Sequence, residues 1–361
     1  MTEVRLTPKA RVTKALRGGH TDVVPFTVYE YKLPQCELER ELRNRGLCIL
    51  ERRVRVYTSR RPNCKMTQQV YWEDDKRFTR THWETPGGTL TMLYEAADFT
   101  SWAHEKMFKT PDDYKAILAL IQDERYEPRY DEFLRRQREL GEDAILRAGF
   151  GLEPLQTLIS GNLMKMEDFC IQWMDNRDEI LKLYDAIVEN RRKVYPLVAE
   201  SPALHANYGG NVVPEIVSPE MFREYYTPHY NEAAEVMHAH GKLIGSHFDD
   251  DCGKLAHLIG ETELDYVEAF TPAPDTDMTL REAREAWPDK TLWINFPSSV
   301  HLKPDDEVKA FTVEMLNALD DIDGLLVGIT EDMPPERWLY SCKAIMDGLD
   351  RHARENPKLY A

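Results

Sequence analysis

The sequence predicts a closed (β/α)8 TIM barrel, and three observations point to it. Eight short apolar runs suited to buried parallel strands alternate with helix-like segments along the 361 residues. Eight is also the number of strands that closes such a barrel. Several of the runs end in polar or acidic side chains, as barrel strands do on the face where their loops form a site.

The eight candidate strands share an apolar core and a length that suits a buried strand. They span residues 25–31, 48–57, 144–150, 203–209, 242–248, 265–270, 291–296 and 325–329. The sequence has no dinucleotide-binding glycine pattern, P-loop or GxSxG elbow. It therefore lacks the motifs of Rossmann dehydrogenases, P-loop NTPases and serine hydrolases.

Helix-start signals lie between the strands. Ser218, followed by a proline, is an N-cap with proline at the first helical position, and we expect this helix to run to Gly241. Residues 167–195 are typical of one long amphipathic helix or two broken ones. Pro304 precedes acidic residues that favour a helix start, and Pro334 opens the last helix.

One stretch breaks the alternation of strands and helices. Between residues 67 and 95 polar and apolar residues alternate, and Gly87 and Gly88 precede a second alternating run. This pattern is typical of an antiparallel β-meander with a glycine turn. We interpret it as an insertion that covers part of the barrel mouth. Because no linker rich in Gly, Ser or Pro divides the chain, one domain spanning residues 1–361 is favoured over two.

The composition narrows the classes of partner. A net charge of −17 argues against nucleic acid, since phosphate binding needs clustered basic residues. The arginine pairs at 52–53 and 60–61 are interpreted as solvated surface. No run approaches the roughly 18 apolar residues of a membrane span, and the six cysteines have no CxxC spacing. We expect a reduced, cytoplasmic, soluble monomer or homodimer that binds neither nucleic acid nor membrane.

Metal-ligand side chains close three of the strands. His247 and Asp249 end strand five, and two residues apart on an extended chain they leave it on the same side. Glu268 lies in the apolar sixth strand, where a carboxylate needs a metal, a cation or a donor network. Glu331 follows strand eight. Together these residues predict a divalent metal site, zinc or another divalent ion, formed by His247, Asp249, Glu268 and Glu331.

Each of these residues also has a structural interpretation. A histidine such as His247 at the end of a buried strand can serve as a hydrogen-bonded residue, and an arginine partner would explain Glu268. Asp250 and Asp251 suit the capping of the next helix. Cys252 lies in the expected first turn of that helix, which makes it a less favoured ligand.

Other strand ends carry polar groups that can face a substrate. Glu30 closes strand one, Asn207 and Asn211 accompany strand four, and Asn295 ends strand seven. We expect Glu30, Asn207 and Asn295 to contact a small-molecule substrate, while noting that Asn is also an ordinary turn residue.

From residue 210 to about residue 349 the chain resembles the uroporphyrinogen decarboxylase superfamily. The resemblance is carried by SPEMFREY at 218–225, HAHGK at 238–242 ahead of His247, and DYVEAFTP at 265–272. Residues 23–150 fit the superfamily more loosely. Its members have a (β/α)8 barrel, in agreement with the strands counted above.

The superfamily divides into two chemistries. Its decarboxylases hold substrate carboxylates with an arginine-rich loop after strand one, where this chain has Glu30 and no arginine. Its cobalamin-linked methyltransferases carry zinc on an H-x-C pair and a distant cysteine. This chain offers His247 and Asp249 for the pair and Glu331 for the cysteine, and Glu268 matches a glutamate that approaches the metal. The resemblance is therefore closest to the methyltransferase branch.

Carboxylates in place of both cysteines give a harder ligand set, which suits Lewis-acid polarisation of an oxygen or nitrogen. The resemblance thus implies zinc-dependent methyl transfer between a small methyl ether or methylamine and a corrinoid (cobalamin) on a separate protein. Asp249 or Glu268 is the expected general acid. Two alternatives stay open: a superfamily decarboxylase or lyase with a smaller carboxylated substrate, and a non-catalytic barrel that binds a tetrapyrrole or corrinoid.

Overall fold

A computed structural model describes residues 6–97, 100–210, 212 and 215–360, which group into two compact units. The barrel unit comprises Met1–Val56, Arg129–Gly151 and Val198–Ala361, and the second unit comprises Tyr57–Pro128 and Leu152–Leu197. No helix among the described residues is long and apolar enough to cross a membrane. The single domain over residues 1–361 stays a prediction.

The strands and helices are numbered in chain order. The strands are β1 (Phe26–Tyr29), β2 (Cys48–Glu51), β3 (Tyr57–Arg60), β4 (Lys65–Glu73), β5 (Lys76–Thr85), β6 (Gly88–Ala97), β7 (Thr100–Glu105), β8 (Arg125–Pro128), β9 (Ala144–Leu146), β10 (Ala148–Gly151), β11 (His205–Tyr208), β12 (Leu243–His247), β13 (Tyr266–Phe270), β14 (Thr291–Asn295) and β15 (Leu325–Ile329). The α-helices are α1 (Pro8–Leu16), α2 (Glu37–Arg45), α3 (Tyr114–Gln122), α4 (Tyr130–Leu140), α5 (Pro154–Ile159), α6 (Met166–Asp175), α7 (Arg177–Ala199), α8 (Pro219–Tyr225), α9 (Thr227–Ala239), α10 (Ala256–Gly260), α11 (Leu280–Ala286), α12 (Asp305–Asn317) and α13 (Trp338–Glu355).

The barrel unit is a parallel sheet that closes on itself. Its strands pair in the order β10-β11-β12-β13-β14-β15-β1-β2-β9. The two end members, β9 and β10, are separated in the sequence only by Arg147, whose N–H donates to the carbonyl of Glu51. The segment 144–151 therefore acts as one strand and completes a ring of eight. The predicted (β/α)8 barrel is confirmed, and each of the eight predicted runs contains an observed strand.

The centre of the barrel is filled by large side chains that point inward from several strands. Tyr266 and Trp293 are fully buried, and the indole N–H of Trp293 donates to Thr27 at 2.8 Å, so the ring brings no unsatisfied donor into the core. Helix α1 contributes Val12 and Leu16 to the same cluster. These residues fix the inner face on which the functional side chains lie.

Two predicted helices are interrupted. The helix that Ser218 opens, with its hydroxyl accepting from the N–H of Met221 at 3.2 Å, ends at Tyr225, and α9 begins at Thr227. The predicted helix over residues 167–195 is resolved into α6 and α7. The second case matches the alternative of two broken helices, and in the first case Pro228 lies in the first turn of α9, directly after the break.

The second unit contains the predicted antiparallel meander. Strands β4 to β7 form a four-stranded antiparallel sheet, and the β5–β6 turn is held by the Thr85 hydroxyl, which donates to the carbonyl of Gly88 at 2.9 Å. The sheet runs from Lys65 to Glu105, beyond the predicted bounds of 67 and 95. Strand β7, which pairs with β6, extends the sheet beyond the predicted end at residue 95.

His205 of β11 is buried in the barrel as a neutral imidazole. The Tyr266 hydroxyl donates to the carbonyl of Ala206, so the Nδ1–H of His205 is the donor in its 2.9 Å contact with that hydroxyl. Burial, and after it the Arg147 guanidinium, lowers the pKa of His205 from 6.5 to about 3. Protonation of this residue is therefore coupled to unfolding.

We expect the variant His205→Gln to show a weaker loss of stability in acid than the wild type. A folded-state pKa below the unfolded value means that the stability contributed by His205 is complete above pH 6.5 and is lost as the pH falls from 6.5 towards 3. The loss for one such group is at most about 1.4 kcal/mol per pH unit. Urea unfolding at pH 7 and pH 4.5 measures it, with the exposed His257→Gln as control. Equal acid sensitivity of the His205 variant and the wild type would contradict the assignment.

Candidate functional site

Three potential metal ligands converge at the carboxyl ends of the barrel strands. His247 ends β12, Asp249 follows it by two residues, and Glu331 comes two residues after β15. One ligand atom from each lies within 4.8 Å of the others, and all three side chains are partly buried. Strands that are separated in the sequence thus bring an imidazole and two carboxylates to one point.

The spacing of these ligand atoms suits a small divalent cation. The Nε2 atom of His247 lies 3.5 Å from Oδ2 of Asp249 and 3.4 Å from Oε1 of Glu331. Ligands about 2.0–2.2 Å from a tetrahedral zinc are about 3.3–3.6 Å apart. The residues present therefore fit a three-ligand zinc site of the catalytic type, which leaves a fourth position for another ligand.

Glu268 is close to this cluster but has other partners. Its Oε1 lies 2.7 Å from Nη1 of Arg147 and accepts from the Tyr29 hydroxyl at 2.5 Å. Its Oε2 accepts from the Asn207 amide at 3.0 Å and from Nδ1 of His247 at 2.7 Å. Both oxygens are therefore engaged, and the carboxylate faces Nδ1 of the imidazole, away from the ligand nitrogen.

This contact fixes the tautomer of His247. Because a carboxylate only accepts, Nδ1 carries the proton, and Nε2 is left to face Asp249 and Glu331. A carboxylate behind a metal-ligating histidine in this way orients the ring and raises its basicity. Although burial opposes it, Glu268 and Asp249 raise the pKa of His247 well above its ordinary value. A cation that binds here must therefore displace a proton from Nε2.

The surroundings of two carboxylates of the site, on Glu268 and Asp249, favour their ionised forms. Burial alone would raise the pKa of Glu268, but Arg147 and His247 hold it well below its ordinary value. Burial likewise opposes the lowered pKa of Asp249, which its hydrogen bond with His247 brings about. Both groups are therefore held in the proton-accepting form, and the general-acid role of Asp249 or Glu268 stays a prediction.

A β-bulge directs Glu268 into the barrel. The register between β13 and β14 shifts after Glu268, and Ala269 has φ +63°. A left-handed conformation costs a non-glycine residue about 1–2 kcal/mol, and bulges of this kind re-aim side chains next to functional sites. The fold thus accepts local strain at the residue that follows Glu268.

Because residue 210 is a glycine, its own backbone can approach His247 closely. The residue has φ +80°, and a Cβ atom added to it would lie 2.0 Å from the carbonyl oxygen of His247. Glycine is required here both for its backbone conformation and for the close contact.

Asn295 holds the loop that carries Glu331. Its side-chain oxygen accepts from the backbone N–H groups of Thr330 at 3.0 Å and Glu331 at 3.2 Å, and its amide donates to Thr271 at 3.2 Å. The residue is buried. Its hydrogen bonds therefore go to the protein, although the sequence predicted a substrate contact.

A cavity of about 390 Å³ opens beside the cluster. Its lining includes the metal-ligand side chains of β12 and the β15 loop together with aromatic, basic and glycine residues, namely Tyr29, Tyr31, Arg52, Arg147, Ala148, Gly149, Gly151, Asn207, Tyr208, Gly209, His247, Thr330 and Glu331. This volume suits a small-molecule ligand.

The other sequence candidates lie in different places. Asn207 lines this cavity but donates to Glu268. Glu30 is buried with Oε1 3.3 Å from Nε of Arg53 and lines a separate charged cleft. Cys252 is buried with its thiol directed at the carbonyl of Asp250, and the metal-ligand group of the described residues does not include it. Asn211 lies outside the described residues.

Sequence reasoning missed the two arginines of the cavity. Arg147 interrupts the apolar run 144–150, and a lone charge in a buried strand is the same signal that singled out Glu268. For Arg52 and Arg53 the sequence predicts a solvated pair. The structure supports this only for Arg53, since the side chain of Arg53 is 62% exposed and that of Arg52 is 28% exposed.

Comparison with solved structures finds a similar fold in a methyltransferase from Methanosarcina mazei. The TM-score is 0.57 at 14% sequence identity, covering 96% of this chain and 99% of that chain. At this identity the likeness shows the fold alone. The tandem GH20 catalytic modules of a pneumococcal exo-β-D-N-acetylglucosaminidase give a TM-score of 0.37 at 9% identity, covering 96% of this chain and 90% of that chain. This score is too low to indicate a shared fold. No protein family and no curated protein sequence matches the chain.

We expect the protein to take up one equivalent of zinc and the variant His247→Ala to lose it. A catalytic zinc typically has three protein ligands, so removing the imidazole leaves two carboxylates that bind weakly. Elemental analysis after zinc loading and gel filtration measures the metal-to-protein ratio. Loss of zinc from Glu331→Gln would assign the third ligand in the same way.

Two variants serve as controls for this experiment. His238 also contacts an aspartate, at 2.9 Å, but lies outside the metal-ligand group, so His238→Ala should keep its zinc. Cys252→Ser should keep it too. Full zinc occupancy in His247→Ala would rule out the site, and loss of zinc from Cys252→Ser would show that the thiol is a ligand.

Proposed function

We propose that the protein is a metal-dependent methyltransferase. It would move a methyl group between a small methyl ether or methylamine and a corrinoid carried by a separate protein. The metal-ligand cluster of His247, Asp249 and Glu331 beside an open cavity is the observation that carries the proposal. The fold that the chain shares with a methyltransferase, and the resemblance to the cobalamin-linked branch of the uroporphyrinogen decarboxylase superfamily, support it.

The residues of the site divide the work between them. His247, Asp249 and Glu331 would hold a zinc ion, and Glu268 keeps the imidazole in the ligating tautomer. When bound, the ion would stabilise the electron pair left on the substrate heteroatom, and cobalt(I) of the corrinoid would supply the pair for the new bond to the methyl carbon. Asn295 holds the backbone N–H of Glu331, and so it helps to position the Glu331 carboxylate that would bind the metal.

A decarboxylase or lyase is the second candidate, because one observation favours it. The guanidinium groups of Arg52 and Arg147 line the same cavity as His247. The strand-one loop has no arginine, but Arg52 places a positive charge in the cavity, while Arg147 beside it is paired with Glu268. A carboxylate held next to a Lewis acid suits decarboxylation as well as methyl transfer.

The proposal predicts methyl transfer to free cobalamin from suitable donors. Zinc-loaded protein, cobalt(I) cobalamin and a series of methyl ethers and methylamines should give the visible spectrum of methylcobalamin. We expect His247→Ala to lower the rate by at least about 100-fold, because loss of a catalytic ligand removes several kcal/mol of transition-state stabilisation.

The matched control is His238→Ala, which should transfer methyl groups at the wild-type rate because His238 lies outside the cluster. A rate that is equal in His247→Ala and the wild type would contradict the proposal. If no methylated compound reacts and a carboxylated compound releases CO2, the lyase candidate replaces it.

A further inference from the structure

We infer that the cavity beside the metal-ligand cluster binds a substrate carboxylate through Arg52. This inference deepens the proposed function and rests on it: the methyl donor would be an acid, with the carboxylate at Arg52 and the methyl-bearing heteroatom at the cluster. The contacts of the Arg52 guanidinium within the protein support this assignment.

Arg52 is held by aromatic rings and donates few of its protons. Its Cζ lies 3.2 Å from the ring centre of Tyr29 and 5.6 Å from that of Tyr31. Its nearest carboxylate, on Glu30, is 3.7 Å from Nε, too far for a hydrogen bond, and Nε is a buried atom without an acceptor. Among the described residues the guanidinium of Arg52 makes no hydrogen bond, although the group has five N–H donors.

The neighbouring arginines show the contrast. Arg147 places Nη1 2.7 Å from Glu268, so its charge is matched within the protein. Arg53 donates from Nε to Glu51 and lies 3.3 Å from Glu30. Arg52 is thus the cavity arginine whose nearest carboxylate is the more distant, at 3.7 Å, and its N–H groups make no hydrogen bond to the described residues.

A carboxylate is the ligand that this geometry recognises. A buried donor without an acceptor destabilises the protein, and a bound acceptor removes that cost. A guanidinium held flat against an aromatic ring presents its N–H edge outward, and two parallel N–H groups match the two oxygens of a carboxylate. The Tyr29 ring fixes Arg52 in this orientation before any ligand arrives.

The cavity also brings this anchor and the cluster within reach of one ligand. Arg52, His247 and Glu331 line the same volume of about 390 Å³. The rings of Tyr29 and Tyr31 form part of the wall, which suits a flat, apolar middle section. A small aromatic or short aliphatic acid with a methylated oxygen or nitrogen has these three parts.

Binding of matched acid and amide pairs tests the inference. The probes are 4-methoxybenzoate and methoxyacetate, each with its neutral amide, titrated calorimetrically into the metal-free protein. We expect at least one acid to bind at least 10-fold more tightly than its amide, and Arg52→Gln to abolish this preference by weakening acid binding more than amide binding. Arg52→Lys, which keeps the charge but not the paired donors, should retain part of the preference.

Arg53→Gln is the matched control, since the adjacent arginine also faces Glu30 but does not line this cavity. The variant should keep the full preference for the acid. Equal binding of acid and amide by the wild type overturns the inference, and so does an Arg53→Gln effect as large as that of Arg52→Gln. A parallel loss of acid and amide binding in Arg52→Gln would show that the residue only shapes the cavity, and this also overturns the inference.

The outcome can be separated from that of the proposed function because the titration needs neither metal nor cobalamin. Methyl transfer from neutral donors alone, unaffected by Arg52→Gln, would overturn the inference and keep the methyltransferase. An acid preference that depends on Arg52, together with CO2 release and no methyl transfer, would support carboxylate binding and refute methyl transfer.

Discussion

A fully buried carboxylate organises the barrel unit, because an ionised group without solvent must find its partners inside the protein. Glu268 is 0% exposed and meets Arg147, Tyr29, Asn207 and His247. Breaking a buried pair of this kind by removing one partner is strongly destabilising, by about 3–5 kcal/mol. The partners come from β1, from the link between β9 and β10, from β11 and from β12, so the charge ties together strands that are distant in the sequence.

The contact between Glu268 and His247 also positions the metal-ligand cluster before a cation binds. Glu268 accepts a hydrogen bond from the Nδ1–H of His247, and Nε2 therefore already points at Asp249 and Glu331 before a cation displaces its proton. Asn295 does the equivalent for Glu331 through the backbone. Preorganised ligands of this kind bind more tightly because little ordering remains to be done. The strained Ala269 and the close approach of Gly210 are consistent with a backbone shaped around this histidine and glutamate.

The fold and part of the site could be predicted because their signals are local. Barrel strands are buried on both faces and appear as apolar runs, and His247, Asp249 and Glu331 follow three of them. What the sequence could not supply is the direction of each side chain at a strand end. Asn295 turns to a backbone loop, Glu30 faces a different cleft, and Arg52 turns inward beside an exposed Arg53. These choices depend on partners brought together by the closed barrel, which no local pattern records.

The net charge of the site depends on both the metal-ligand cluster and the arginines of the cavity. Three carboxylates, on Asp249, Glu268 and Glu331, face two guanidinium groups, on Arg52 and Arg147, and the protonated imidazole of His247, so these side chains carry no net charge before a cation binds. A divalent cation that displaces the Nε2 proton of His247 would bring this balance to one positive charge, which a monoanion held at Arg52 then neutralises. Metal and carboxylate binding would therefore reinforce each other, and the ring of Tyr29 joins them physically: Arg52 lies on its face, while its hydroxyl holds the glutamate that orients His247.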